Sequence, residues 1–280
     1  MATPRLASLT LRAADGGPLY VDVRTGARRG EARPAVVICH GFKGFKEWGF
    51  FPRVAERLAL AGYTAVTFNF SGSGVGASSE VVDEPDRWFH QTLSADLADL
   101  DTVVTLVAAE ASSWVGLLGH SRGGALAILQ AARDPRVSAL VTWAAVADFR
   151  RHPPEEMERW RREGRLQVVN SRTGQVLHIG TDALDDLEAR GGSELDVVQG
   201  AALVRAPWLV IHGSADVTVP VEDAARLAGA AAPAVARLLL VEGAGHTFGA
   251  RHPWAGTTPE LDEALGATVR HYGAALGQSG

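Results

Sequence analysis

Three residues far apart in the chain have the types and settings needed for acyl chemistry. Gly119-His120-Ser121-Arg122-Gly123-Gly124 places a serine among glycines, between an apolar run and a helix-forming run. A nucleophilic serine in a G-x-S-x-G turn needs this strand–turn–helix context. The turn must be tight enough to lift the hydroxyl clear, so the glycines remove side chains that would collide across it. The following helix aims N–H groups and its positive end at the same point. A serine hydroxyl is a weak nucleophile and needs a base. His246, in Gly243-Ala-Gly-His246-Thr just after the apolar run 237–241, is the best placed of nine histidines. His252 shares that loop, and His271 falls in a helical pattern. The imidazole in turn needs an orienting carboxylate. Asp216 follows the apolar run 208–212. Glu222 and Asp223 compete, but Pro220 starts a helix and makes them first-turn acids. Asp148, after the run 138–143, is a weaker rival.

Short apolar runs that alternate with longer helical patterns position these residues. Such an order predicts a mainly parallel sheet with helices on its faces. Leu6–Leu11 and Leu19–Val23 flank Asp15-Gly16-Gly17 and read as an opening hairpin. Strands are expected at 35–39, 64–70, 114–119, 138–143, 208–212 and 237–241. Helices are expected at 51–60, roughly 91–111, 124–133, 221–230 and 259–272. Residues 71–79 and 80–86 read as loops. The rhythm breaks at 147–204, where a capped helix near 154–163, a hairpin around Asn170-Ser-Arg-Thr-Gly174 and a short helix at 182–190 read as an insert over the sheet. The domain reading is therefore a core of 1–146 and 205–280, with a lid of helix, β-hairpin and helix at 147–204.

Composition narrows the class. The 280 residues are 46% hydrophobic and 21% charged, which suits a globular protein and not a disordered chain. Net charge is −5, a poor match for nucleic acid, which needs clustered Lys and Arg. Cys39 is the only cysteine, so no intrachain disulfide can form. The N-terminus lacks an apolar signal-peptide core, and no apolar stretch approaches 18 residues. The expectation is a cytoplasmic protein with neither membrane nor nucleic-acid partner.

The chain order Ser121, Asp216, His246 resembles that of the α/β-hydrolases, over nearly the whole length from Leu6 to about Gly273. The resemblance implies an α/β-hydrolase fold: a mostly parallel eight-stranded sheet, helices on both faces and a small lid insert. His40-Gly41-Phe42 looks like that family's oxyanion loop, which implies that the backbone N–H groups of Phe42 and Arg122 form the oxyanion hole. His40 is then a structural residue of the loop, and the elbow turns the His120 side chain elsewhere. The loop from Gly41 to Pro52 and the hairpin-containing insert look similar to small esterases of the cinnamoyl/feruloyl-esterase-like and acylaminoacyl-peptidase-like groups. Dienelactone hydrolases use a cysteine nucleophile, but Ser121 holds that position here and Cys39 lies in a strand.

The implied function is a serine carboxylic-ester hydrolase acting through an acyl-enzyme on a small-molecule ester, with no cofactor and no metal. The polar insert favours small acyl or aromatic esters over long triglycerides. A thioesterase or an acylaminoacyl peptidase with the same triad is the alternative. Its mark would be an acid in the pocket for a peptide N-terminus, with Glu155, Glu156, Asp185 and Asp186 as candidates. A non-catalytic binding protein on the same fold stands further off, since all three triad positions are filled. Lys43 and Lys46 are the only lysines. They read as a solvated loop with an ion pair to Glu47, or as holders of an anionic or phenolic substrate group. Gly72-Ser-Gly74-Val-Gly76 lacks the helix that a dinucleotide fingerprint needs, and Asp83-Glu-Pro-Asp86 has no His or Cys partners for a metal.

Overall fold

The computed structural model describes residues 3–26, 33–110 and 114–278. Its sheet is built from β1 (Arg5–Arg12), β2 (Pro18–Thr25), β3 (Ala35–Cys39), β4 (Thr64–Phe68), β5 (Val115–His120), β6 (Val137–Trp143), β9 (Trp208–Gly213) and β10 (Ala236–Val241). The spatial order is β1-β2-β4-β3-β5-β6-β9-β10, and β2 alone runs against the rest. The alternating strands and helices thus give the α/β-hydrolase fold expected above. β3 and β5 are buried along their whole length because helices cover both faces.

Helices α1 (Phe51–Leu60) and α9 (Pro259–Gly277) cover one face, and α3 (Leu93–Glu110), α4 (Arg122–Arg133), α7 (Val197–Leu203) and α8 (Val221–Ala230) the other. Each side holds its own apolar core. Phe51, Val54, Leu58 and Tyr272 pack into one, Leu100, Val104, Leu126 and Leu227 into the other. Helix ends follow local chemistry. Pro52 sits in the first turn of α1, and Thr258 caps α9 by accepting the Leu261 N–H at 3.1 Å.

Residues 147–204 carry α5 (Pro154–Glu163), the separate antiparallel pair β7 (Arg165–Val169) and β8 (Val176–Gly180), α6 (Asp182–Arg190) and α7. A third apolar cluster joins this insert to the core: Trp160, Leu166, Leu177, Ile179 and Leu184 meet Phe45, Val75, Val82 and Trp88. Two short helices escape the pattern reading. α2 (Pro85–Phe89) starts at the end of the stretch 80–86 expected as loop and turns to bury Trp88. α7 starts with two β-branched valines, but Asp196 caps it by accepting the Gln199 N–H at 2.9 Å. Its Gly200 then fits against Leu129 of α4, where a Cβ would meet Leu129 Cδ2 at 2.8 Å. No helix among the described residues is long and apolar enough to cross a membrane.

Candidate active site

The strand order reverses around β3, which lies between β4 and β5, so the loops leaving β3 and β5 diverge at adjacent strand ends. Cys39 pairs with Gly119 in that register. Ser121 follows β5 at φ 55°, a left-handed strain of about 1–3 kcal/mol for a non-glycine residue, and α4 starts at the next residue. A side chain at Gly119 would overlap the Gly123 carbonyl, and one at Gly123 would overlap the His40 carbonyl. A Cβ at Gly124 would stand 2.6 Å from that of Ala145. The glycines are therefore required by close approach on three sides of the turn.

His246 Nε2 lies 3.1 Å from Ser121 Oγ, and His246 Nδ1 lies 2.7 Å from Asp216 Oδ2. Asp216 Oδ1 accepts the Thr218 and Val219 N–H groups at 2.8 and 3.0 Å, and His212 Nε2 stands 3.4 Å from Oδ2. Burial by itself raises the Asp216 carboxyl, but the bonds from His212, His246 and Val219 outweigh it and hold it well below the usual carboxylate range. An ionised acceptor fixes the His246 proton on Nδ1 and leaves Nε2 free to take the serine proton.

The rivals are committed elsewhere. Asp148 accepts the Arg150 N–H, Asp223 accepts the Ala147 N–H, His271 faces the Pro207 carbonyl, and His252 Nδ1 accepts the Gly49 N–H. His120 turns away from Ser121 and donates Nε2–H to the His246 carbonyl at 2.9 Å, steadying the loop of the base. His40 Nε2 accepts the Phe70 N–H at 3.1 Å, so its Nδ1–H donates to the Gly41 carbonyl at 2.9 Å. Burial depresses both rings to about 3, with the neighbouring His246 adding to the effect on His120; both stay neutral.

The loop after β3 runs against the serine: a Cβ at Gly41 would lie 3.0 Å from Ser121 Cβ. The next amide belongs to Phe42. The Arg122 amide is the first of α4, one of the N–H groups a helix leaves without an internal acceptor. The Arg122 guanidinium lies over the Phe42 ring at 5.0 Å, donates to Gln91 Oε1 at 2.9 Å and stands 3.2 Å from Asp96. Asp96 is fully buried, and burial raises it to about 7 against the pull of Arg122. Sequence reasoning missed Gln91 and Asp96, which sit in or before a helix pattern with no motif around them.

A cavity of about 940 Å³ opens over Ser121 and His246. The core contributes Phe42, Trp48 and Phe51, and the insert contributes Met157, Trp160, Ile179, Leu184 and Leu187. Lys43 lines it, with Nζ 3.4 Å from the Val169 carbonyl. Lys46 does not. Its side chain is buried, with Nζ 2.5 Å from Asp22 Oδ2 and 4.0 Å from Glu47. Neither a solvated loop residue nor a substrate contact describes it, because the opening hairpin carries Asp22 underneath the loop. Asp186 accepts the Ser94 N–H at 2.9 Å, Asp185 pairs with Arg161 at 3.0 Å, and Glu156 meets His152 at 2.8 Å. None of these acids, nor Glu155, lines the cavity.

Comparison with known proteins agrees with this architecture. The profile of the family described as serine aminopeptidase, S33, matches residues 30–180. An uncharacterized 31.7 kDa protein of Escherichia coli, from a traX-finO intergenic region, is 27% identical over 164 residues, 56% of this chain and 55% of that one. The 2,6-dihydropseudooxynicotine hydrolase of Paenarthrobacter nicotinovorans is 25% identical over 205 residues, 72% of this chain and 49% of its own. The chain thus spans about half the length of these curated relatives. Among solved structures, Est1E from Butyrivibrio proteoclasticus with ferulic acid bound superposes with a TM-score of 0.74 at 19% identity, over 96% of this chain and 99% of that one. That likeness is one of fold.

Proposed function

The chain belongs to the serine aminopeptidase (S33) hydrolase family, and we propose that it is a serine-dependent carboxylic-ester hydrolase for small acyl or aromatic esters. The observation that carries this reading is the continuous chain from Ser121 Oγ through His246 to Asp216, at 3.1 and 2.7 Å, beneath a cavity. In this mechanism Ser121 Oγ attacks the acyl carbon while His246 Nε2 takes its proton. Asp216 keeps the ring oriented and stabilises the imidazolium. The Phe42 and Arg122 amides receive the oxyanion, each such donor being worth ~10²–10³ in rate. The alcohol leaves with the proton from His246, giving an acyl-enzyme. Water, deprotonated by the same histidine, then releases the acid.

An aminopeptidase needs a carboxylate to receive the free α-ammonium of a peptide. Among the described residues no Asp or Glu lines this cavity, which favours the ester reading over the activity in the family's description. A thioester would fit the same machinery.

The test is a rate panel: short and long acyl aryl esters, a methyl hydroxycinnamate, an acyl thioester and an acylaminoacyl anilide, each with the parent and with Ser121→Ala. Turnover of the short or cinnamoyl esters that falls by about 10⁴–10⁶ in kcat on Ser121→Ala supports the reading. Turnover of the anilide or thioester alone moves the function to the alternative, and activity that survives Ser121→Ala removes the mechanism.

A further inference from the structure

The cavity has one charge sign. Lys43, Arg122, Arg150, Arg151, Arg172 and Arg251 line it, and among the described residues no carboxylate does, although acids outnumber Lys and Arg 32 to 27 in the whole chain. Two of the six have a carboxyl group behind the wall, Arg122 beside Asp96 and Arg151 beside Asp223, each at 3.2 Å. Arg150 reaches the Gly191 carbonyl at 3.3 Å.

Arg172 is the most telling of the rest. It is half-buried at the tip of the β7–β8 hairpin, with its guanidinium 5.0 Å from the Phe45 ring centre. Among the described residues no carboxylate lies within ion-pair distance of it and none of its side-chain N–H groups finds an acceptor; the Glu80 carboxylate, which faces His252 Nε2 at 3.2 Å, acts on it from farther off. A guanidinium carries five donors in a fixed fork and keeps its charge. Its backbone is anchored. The Arg172 N–H donates to Asn170 Oδ1 at 3.2 Å, and the Gly174 N–H donates to the Asn170 carbonyl at 2.8 Å. Gln175 ties the tip to the core through the Val82 N–H and carbonyl at 3.1 and 2.8 Å. Lys43 arrives from the opposite wall and touches the Val169 carbonyl, three residues before Arg172. A half-buried guanidinium with free donors, lining the same cavity as the Lys43 ammonium and apolar side chains, suits an anion.

We propose that the cavity selects esters bearing a carboxylate, held by Arg172 and Lys43 while the scissile carbonyl lies at Ser121. The proposal rests on the esterase reading and adds the charge of the substrate to it. Arg172 belongs to the insert and Lys43 to the loop after β3, and neither side chain takes part in bond cleavage at Ser121, so charge selection is separable from it.

Two pairs of near-isosteric esters test it. One pair is 4-(acetoxymethyl)benzoate and its benzamide, with the charge on the alcohol side. The other is monophenyl glutarate and the matching phenyl glutaramate, with the charge on the acyl side. The expected result is a kcat/KM ratio, anionic over neutral, of about tenfold or more in at least one pair at low salt, shrinking at about 0.5 M NaCl. Arg172→Gln should pull that ratio toward one, Lys43→Gln should do so partly, and Arg172→Lys should restore part of it. Thermal melts of each variant separate this from unfolding. A ratio near or below one in both pairs, with turnover that depends on Ser121, overturns the proposal and leaves the esterase reading intact. A ratio that Arg172→Gln does not move overturns it equally. If none of the four esters is turned over, calorimetric binding of 4-(hydroxymethyl)benzoate and its amide to Ser121→Ala decides the charge question alone. Preference for the acid that disappears with Arg172→Gln supports the proposal, and equal binding overturns it.

Discussion

At the sheet edge, Ser121, His246 and Asp216 are held by strained backbone geometry and a chain of hydrogen bonds, whereas the insert across the cavity is held by an apolar cluster, a few hydrogen bonds to the core and exposed ion pairs. The core wall is rigid by construction. Gly119, Gly123 and Gly124 leave no room to shift, neutral His40 ties the loop after β3 to the Phe70 amide, and neutral His120 ties the serine turn to the His246 carbonyl. The insert wall has Trp160 donating to the Ile179 carbonyl at 3.1 Å and packing with Leu184, while Arg161 pairs with Asp185 and Glu188 at the surface. Exposed pairs of this kind contribute only ~0–1 kcal/mol each. Under the proposed function, bond cleavage belongs to the strand ends, and the insert supplies one wall of the substrate cavity.

Substitutions can break that division, and the largest effect belongs to the core wall. Asp216→Asn should keep the fold and lower kcat by about 10⁴, because an amide no longer enforces the Nδ1–H tautomer of His246. A fall under tenfold would show that another group orients the base. Gly123→Ala should cost about 3 kcal/mol or more, measured by urea unfolding, since its methyl has to displace the His40 carbonyl. Normal stability would mean that the elbow is looser than its contacts indicate. Trp160→Ala removes an insert wall, so KM should rise about tenfold while kcat stays within about threefold. A loss confined to kcat would place Trp160 with the chemistry and erase the contrast.

The smallest effect is on the pH dependence of stability. His40 and His120 drop from 6.5 to about 3 on folding, so between those values the unfolded chain binds protons that the folded chain refuses. Their contribution to stability is complete above 6.5 and is lost as pH falls. Asp96 moves the other way, from 3.8 to about 7, so its folded form holds a proton in that window and its contribution falls as pH rises. The two opposed slopes partly cancel. Asp96→Asn should therefore steepen the rise in unfolding free energy between pH 5 and 6 by up to about 1.4 kcal/mol per pH unit. An unchanged slope would mean that Asp96 stays ionised beside Arg122.

Most of the sheet was legible because its strands are short apolar runs with turn residues between them. The elements that escaped show why. α2 and α7 are five and seven residues long, too short for a period of 3.6 to register. The site was legible where a motif imposes geometry. Ser121 carries its own steric signature, while Asp216 and His246 each follow a strand in a loop of small residues. Lys46 misled the reading because proximity to Glu47 in sequence concealed the Asp22 carboxylate brought beneath it by β2.

The sequence by itself marked Ser121, His246 and Asp216 as candidate nucleophile, base and acid, and the strand ends on which they sit, because local sterics and strand–turn–helix order are written in adjacent residues. Only the tertiary structure decided the charge of the cavity. Lys43 and Val169 are 126 residues apart in the chain and meet only in the fold, where Arg172 joins Lys43 in the cavity lining, and a lining without acids depends on where every carboxylate of the insert turns, which packing settles and spacing does not.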